Sequence, residues 1–177
     1  MAFKGTTIIA VQKNGCLAFA GDGQVTLGDQ IIKTKAKKIR RFANFNILGG
    51  FAGHTADAFT LFERFETKLE SSSGNLTKAA VELAKEWRMD KALRRLEAML
   101  LVGNGEKLLM ISGQGDVMEP DSSILGIGSG SPAAIAAAKA LLRNTEMSAA
   151  EIAVEAMKIA AEQCIYTNDQ ILLETIE

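Results

Sequence analysis

The apolar residues of this chain change their spacing from two to three-and-four and back again, and that order limits the folds open to it. Residues 6–12 read as a strand, Asn14-Gly15 as a hairpin turn, and 16–20 as the returning strand. The glycines of Gly21-Asp22-Gly23-Gln24 break the regularity. Residues 25–41 read as a further strand pair turning at Gly28-Asp29, and 46–51 as a short apolar strand. After Ala52-Gly53 the period becomes helical: Ala56, Phe59, Phe62, Phe65 and Leu69 form one stripe. A second amphipathic helix is expected from Leu76 to about Arg95, with Ala80, Leu83, Ala84 and Trp87 toward the core. Strands follow at 100–102, 108–112, 117–119 and 124–127. Two more helices follow, 132–143 with proline in its first turn and one capped by Ser148 with Glu151 three residues on, running to about Cys164. Residues 171–176 close as an edge strand. Runs of strands and pairs of helices that alternate in this way predict an α+β fold. A four-layer αββα sandwich, two antiparallel sheets flanked by helix pairs, would bury every apolar face.

With 177 residues, 47% of them hydrophobic and 23% charged, the chain is long and apolar enough for one sizeable core. Residues 6–177 read as a single domain behind a short segment, 1–5. The formal net charge of -1 gives no global electrostatic case for binding nucleic acid. No apolar run approaches the length of a membrane span, and residues 1–5 are too short for a signal peptide. Cys16 and Cys164 lack metal-like spacing and read as buried thiols in a reducing cytoplasm.

The chemistry concentrates at the first strand. A Thr-Thr pair opening a β-branched run is, taken alone, an ordinary strand start. Thr6 acquires a second reading if the chain is cut after Gly5. Its new α-amine, with an ordinary pKa of about 7.7–8.0, would be a base built into the residue that carries the hydroxyl. That is the activated-nucleophile arrangement of an N-terminal threonine. A turn with one acidic residue, Asp22, and a basic run, Lys33 to Arg41, follow within reach of such a site. Alternation puts Lys33, Lys35 and Lys37 on one face and Lys38 and Arg40 on the other. Alone, the run reads as a solvated strand face, with a nucleic-acid patch as the alternative.

The segments TTIIAV, AGDGQVTLG, AKKIRR, GGFAG, TADAFTLFE, NLTKAAVELAKEWR, RRLEAMLLV, IGSG and CIYTN, in this order from Thr6 to Asn168, resemble the proteasome-like peptidases of the N-terminal-nucleophile class. The resemblance implies the N-terminal-nucleophile hydrolase fold and threonine endopeptidase activity. It puts Thr6 at the nucleophile, with 1–5 as a removable leader. It puts Asp22 at the acid that orients a catalytic lysine, Lys38 at that lysine, Ser129 at the serine beside the threonine amine, and Gly50 at the oxyanion donor. Ala161, Cys164 and Thr167 fall on three backbone carbonyls that hold a monovalent cation, usually Na+. The resemblance also implies a homo-oligomer of two stacked hexameric rings in the cytoplasm, fed with unfolded proteins by a partner AAA+ unfoldase. No nucleotide is expected on this chain, which has no Walker motif. A chain that kept its leader would be a catalytically silent ring subunit.

Three positions depart from the family pattern: His54, Ser131 and Ala161 stand where a small residue, a glycine and a glycine are common. His54, the only histidine, reads as a cap or surface residue that lines a pocket at most. Gly126-Ile127-Gly128-Ser129-Gly130 has the strand–turn–helix setting of a phosphate loop but lacks its lysine.

Overall fold

A computed structural model of the chain describes residues 3–4, 6–53, 55–96 and 98–177, with the side chains of 3, 4, 55 and 56 outside that description. Most of the leader and all of His54 therefore fall outside it. In chain order the elements are β1 (Phe3–Lys4), β2 (Thr7–Lys13), β3 (Cys16–Gly21), β4 (Val25–Leu27), β5 (Gln30–Lys33), β6 (Ile39–Phe42) and β7 (Ile47–Ala52). Helices α1 (Thr55–Ser71) and α2 (Leu76–Met89) follow, then β8 (Met99–Gly103), β9 (Leu108–Ser112), β10 (Val117–Met118) and β11 (Ile124–Gly128). Helices α3 (Ser131–Asn144) and α4 (Ala149–Gln163) precede the last strand, β12 (Leu172–Ile176).

The strands form two principal antiparallel sheets, ordered β11-β2-β3-β12 and β10-β9-β8-β7-β6. β2 carries four apolar residues in a row, Ile8 to Val11, because both of its faces are covered. Ile9 and Val11 pack with Ala18 and Ala20 against Ala134, Ile152 and Met157 of α3 and α4. Ile8 and Ala10 face the second sheet, against Ile39, Leu48 and Leu101. The far side of that sheet packs Phe42 and Leu100 under Phe65, Leu83 and Trp87 of α1 and α2. The chain is thus the expected α+β sandwich, helix pairs outside two facing sheets. The Ser148–Glu151 capping box starts α4 as predicted, with both of its reciprocal hydrogen bonds present.

Three expectations need correction. Residues 25–41 are not one strand pair. β4 and β5 form a small separate sheet with β1, and β6 crosses to the edge of the second principal sheet. The break comes at 34–38, a loop that lets the basic run serve two places. Phe59 is 65% exposed, and Leu61 fills the core in its place. The rest of the stripe that can be read, Phe62, Phe65 and Leu69, is buried as expected, so the departure is confined to Phe59. Cys16 and Cys164 are half-buried, not sealed in the core.

Candidate active site

Local turn chemistry brings the first two site residues together. Asn14 and Gly15 both have positive φ, 53° and 81°, as a two-residue type I′ hairpin requires. That turn pairs Lys13 with Cys16 and, counting back along both strands, Ile8 with Gly21. Thr7 consequently lies opposite Asp22. The Thr7 N–H donates to Asp22 Oδ1 at 2.9 Å, and the Asp22 N–H donates to the Thr7 carbonyl at 3.2 Å. Thr6 is the next residue out, half-buried at the mouth of the sheet.

Lys38 arrives from the other sheet. It immediately precedes β6, and its carbonyl accepts the Phe51 N–H at 3.2 Å, which fixes it beside β7. Its Nζ donates to Asp22 Oδ1 at 2.9 Å and to the Gln24 carbonyl at 2.6 Å. Lys38 is 9% exposed and Asp22 1%. Lys33, Lys35 and Lys37 are all exposed, as alternation suggested, although only Lys33 is on a strand, at the end of β5, and the other two are in the loop that follows. Arg40, expected on the site face, instead pairs with Glu66 of α1. Burial pushes the Lys38 ammonium below the ordinary lysine range, opposed by the charge of Asp22 and its hydrogen bond. The carboxylate is fully engaged: its Oδ2 accepts from the Gln24 N–H at 2.9 Å and from the Asn168 N–H at 3.4 Å.

The third component is the turn from β11 into α3. Gly128 pairs with Thr7, and the Ser129 N–H donates to the Thr6 carbonyl at 3.0 Å. Gly128 has φ +94°, and a Cβ there would lie 1.7 Å from the Thr6 oxygen, so only glycine lets the two chains approach this closely. Ser131, a departure from the family pattern, stabilises the turn by donating from its hydroxyl to the Gly128 carbonyl at 2.8 Å. Beneath the turn, the fully buried Thr7 hydroxyl accepts the Gly130 N–H at 2.8 Å and shares a hydrogen bond with the Thr167 hydroxyl at 2.7 Å. A Cβ on Gly130 would meet these two oxygens at 2.7 and 2.6 Å. Gly130→Ala should therefore overpack a buried contact and cost about 1–3 kcal/mol, read as a lower urea midpoint. An unchanged midpoint would show that the clamp yields.

Gly50 lies in the middle of β7, paired with Ile39 and Leu101. A Cβ there would press on Ile8 Cγ2 at 2.9 Å and on Phe19 at 3.3 Å. The missing side chain thus serves close packing of the two sheets, and an oxyanion role would rest on the backbone alone.

Ala161, Cys164 and Thr167 gather around the C-terminal end of α4. Ala161 lies in its last turn, where helix carbonyls lack intrahelical partners and carry partial negative charge. The Cys164 carbonyl accepts the Thr167 N–H at 3.0 Å and so closes a tight turn. Neutral carbonyl oxygens at the negative end of a helix suit a hard cation such as Na+. Among the described residues there is no cluster of three metal-ligating side chains. Cys164 reaches the site by its thiol as well. Burial raises that thiol, but hydrogen bonds with the Thr167 and Ser129 hydroxyls and the Tyr166 backbone outweigh it, leaving the group below its ordinary value.

Two residues of the site carried no chemical signal in the sequence. Gln24 gives its carbonyl to Lys38 and donates from its side chain to the Ile165 carbonyl and the Thr26 hydroxyl. Asn168 accepts the Gly23 N–H and donates to the Thr34 carbonyl, locking the Asp22 turn to the loop before Lys38. Each is tied into the site by a long-range bond, Gln24 to Ile165 and Asn168 to Gly23 and Thr34, that no local pattern reports.

With this geometry in view, the comparisons are specific. A model of the proteasome subunit family matches residues 2–176. The chain belongs to that family. This proteasome-family chain is 60% identical, over the full length of both, to the ATP-dependent protease subunit HslV of Petrotoga mobilis. Its fold superposes on the crystal structure of eukaryotic HslV from Trypanosoma brucei with a TM-score of 0.92, at 46% identity, covering 97% of this chain and 99% of that one. A more distant likeness, to Thiobacillus denitrificans BPH in complex with epoxomicin, has a TM-score of 0.75 at 20% identity over 97% of this chain and 98% of that one, and concerns the fold alone.

Proposed function

We propose that this chain is the threonine-type peptidase subunit of a two-component ATP-dependent protease that degrades unfolded proteins in the cytoplasm. The observation that carries the reading is the buried Lys38–Asp22 pair, built against the first turn of the strand that Thr6 opens. Once residues 1–5 are removed, the Thr6 α-amine accepts the proton of its own hydroxyl as Oγ attacks the scissile carbonyl. The Lys38 cation favours this step by stabilising the negative charge that develops on Oγ, and by its repulsion it keeps the amine in the neutral form that can accept a proton. Backbone N–H donors, Gly50 among them, stabilise the oxyanion. The protonated amine then gives its proton to the leaving nitrogen, and Thr6 holds the acyl group as an ester. Water, deprotonated by the same amine, releases the acid. Ser129 orients the amine and its proton.

The identity with HslV supports assembly into two stacked hexameric rings and activation by an HslU-type AAA+ unfoldase, which would be the component that consumes ATP. Ala161, Cys164 and Thr167 would hold a Na+ ion through their carbonyls, fixing the loop that carries Thr167 and Asn168. The ion would supply positive charge near the site when bound.

A second reading has an observation of its own. β1 pairs with β4, Phe3 opposite Leu27 and Lys4 opposite Thr26, so the leader has a seat on the fold. A chain that keeps it there would be a silent ring subunit. Intact mass decides between the two. The active preparation should begin at Thr6, having lost residues 1–5. Full activity from protein that uniformly retains Met1 or Ala2 would exclude the N-terminal-amine mechanism.

A further inference from the structure

The space between the two principal sheets is closed along most of its length by Ile8, Phe19, Leu48 and Leu101. At the nucleophile end it opens into a cavity of about 710 Å³, lined among others by Ala52, Met99, Met110, Met118 and Gly128. Register explains the concentration of methionine there. Met118 lies directly opposite Met110, and Met99 directly opposite Ser112, two residues along the same strand as Met110. All three therefore point to one face of the sheet, the face that looks into the gap. Gly128, at the cavity wall, is the residue whose Cα abuts the Thr6 carbonyl. The size lies within the range of ligand pockets, and the cavity opens beside the proposed nucleophile.

The leader marks the acyl side of the cleaved bond. Residues 3–4 lie on the acyl side of the Gly5–Thr6 bond, and they pair with β4. β4 follows from the end of β3, whereas Gly128 is the end of β11. β3 and β11 flank β2 on opposite edges. A peptide that lays its acyl-side residues along β4 as the leader does has the β3 side of β2 behind it at Thr6 and the β11 side, with Gly128, ahead.

We infer that this cavity is a specificity pocket for the apolar side chain of the residue on the leaving side of the scissile bond. The assignment rests on Thr6 being the nucleophile. Methionine walls suit the task because the unbranched thioether adapts to differently shaped side chains, so the pocket selects for apolar character and size and not for one residue.

The test uses the assembled protein with an HslU-type ATPase and internally quenched peptides that differ only at the first leaving-side residue. Leucine or phenylalanine there should raise kcat/KM about ten-fold or more over glycine, the discrimination an apolar pocket supplies. Met118→Trp, at a position 44% exposed, fills the pocket and should erase that preference while leaving the glycine peptide unchanged. Met99→Ala, at a position 41% exposed, enlarges it and should shift the preference from leucine to phenylalanine. A peptide boronate, which occupies only the acyl side, should inhibit all three proteins equally. No preference in the wild type, or a preference untouched by both variants, overturns the pocket. Weaker boronate inhibition of Met118→Trp overturns the assignment to the leaving side. If the boronate fails to inhibit the wild type, the threonine-peptidase reading falls, and this one with it.

Discussion

Thr6→Ala should abolish peptide hydrolysis, by at least about 10³-fold, and leave fold and ring assembly intact. Removal of a hydroxyl and a methyl from a half-buried position just before β2 takes no side chain from the core. The mechanism, in contrast, loses the only oxygen that shares a residue with its base. Thr7 is the obvious substitute in sequence, and the structure removes it from contention. Its side chain is fully buried, and its hydroxyl is held by the Gly130 N–H and the Thr167 hydroxyl under the Ser129 turn. Thr6→Ser keeps the oxygen and should retain measurable turnover. Hydrolysis of a fluorogenic peptide, with assembly checked by size-exclusion chromatography, reads all three proteins. Turnover near wild type in Thr6→Ala would move the nucleophile elsewhere and end the proposal.

The legible parts of this molecule were those with local causes. The type I′ turn at Asn14-Gly15, the capping box at Ser148 and the switch from strand to helix spacing after Gly53 each act within a few residues, and each is where the sequence puts it. The hairpin held more than its elements: a two-residue turn fixes the register, and the register alone sets Thr7 opposite Asp22. The crossing of the chain at residues 34–38 was not legible, because no glycine or proline marks it. The cause is tertiary, since Lys38 leaves the basic run to reach a carboxylate on the other sheet. Gln24 and Asn168 were silent for the same reason. The Ile165 carbonyl that Gln24 reaches lies 141 residues away and the Thr34 carbonyl that Asn168 reaches lies 134 away, and an amide side chain announces no role until such partners are known. Gly50 was marked by resemblance alone, for its backbone N–H; that Ile8 and Phe19 occupy the space of a side chain there is a property of the gap between the sheets and was not legible.

The largest remaining effect belongs to the pair that spans the two sheets. Lys38→Ala should cost at least about 10²-fold in turnover, because it removes the charge that makes the Thr6 hydroxyl and amine easier to deprotonate. Lys35→Ala is the matched control. It lies three residues away in the same basic run and is exposed, so its loss should be without effect. Asp22→Asn should match the loss at Lys38 by a different route. It takes the negative charge away from a buried ammonium that the carboxylate otherwise neutralises, beside the Gln24 carbonyl. Breaking a buried pair from one side costs about 3–5 kcal/mol, so turnover must be compared on assembled protein. The double variant should lose far less than the product of the single losses, since each change disables the same unit. The pH profile separates this role from a structural one. Activity needs Lys38 charged, so it is lost as pH rises through the Lys38 pKa, which burial already holds below the ordinary lysine value while Asp22 raises it. Taking away the Asp22 charge removes the raising influence, so the alkaline limb of Asp22→Asn must move to lower pH, and that of Lys35→Ala must not move. Equal, small effects of Lys38→Ala and Lys35→Ala, or an alkaline limb indifferent to Asp22, would reduce Lys38 to one more solvated lysine and remove the electrostatic half of the mechanism.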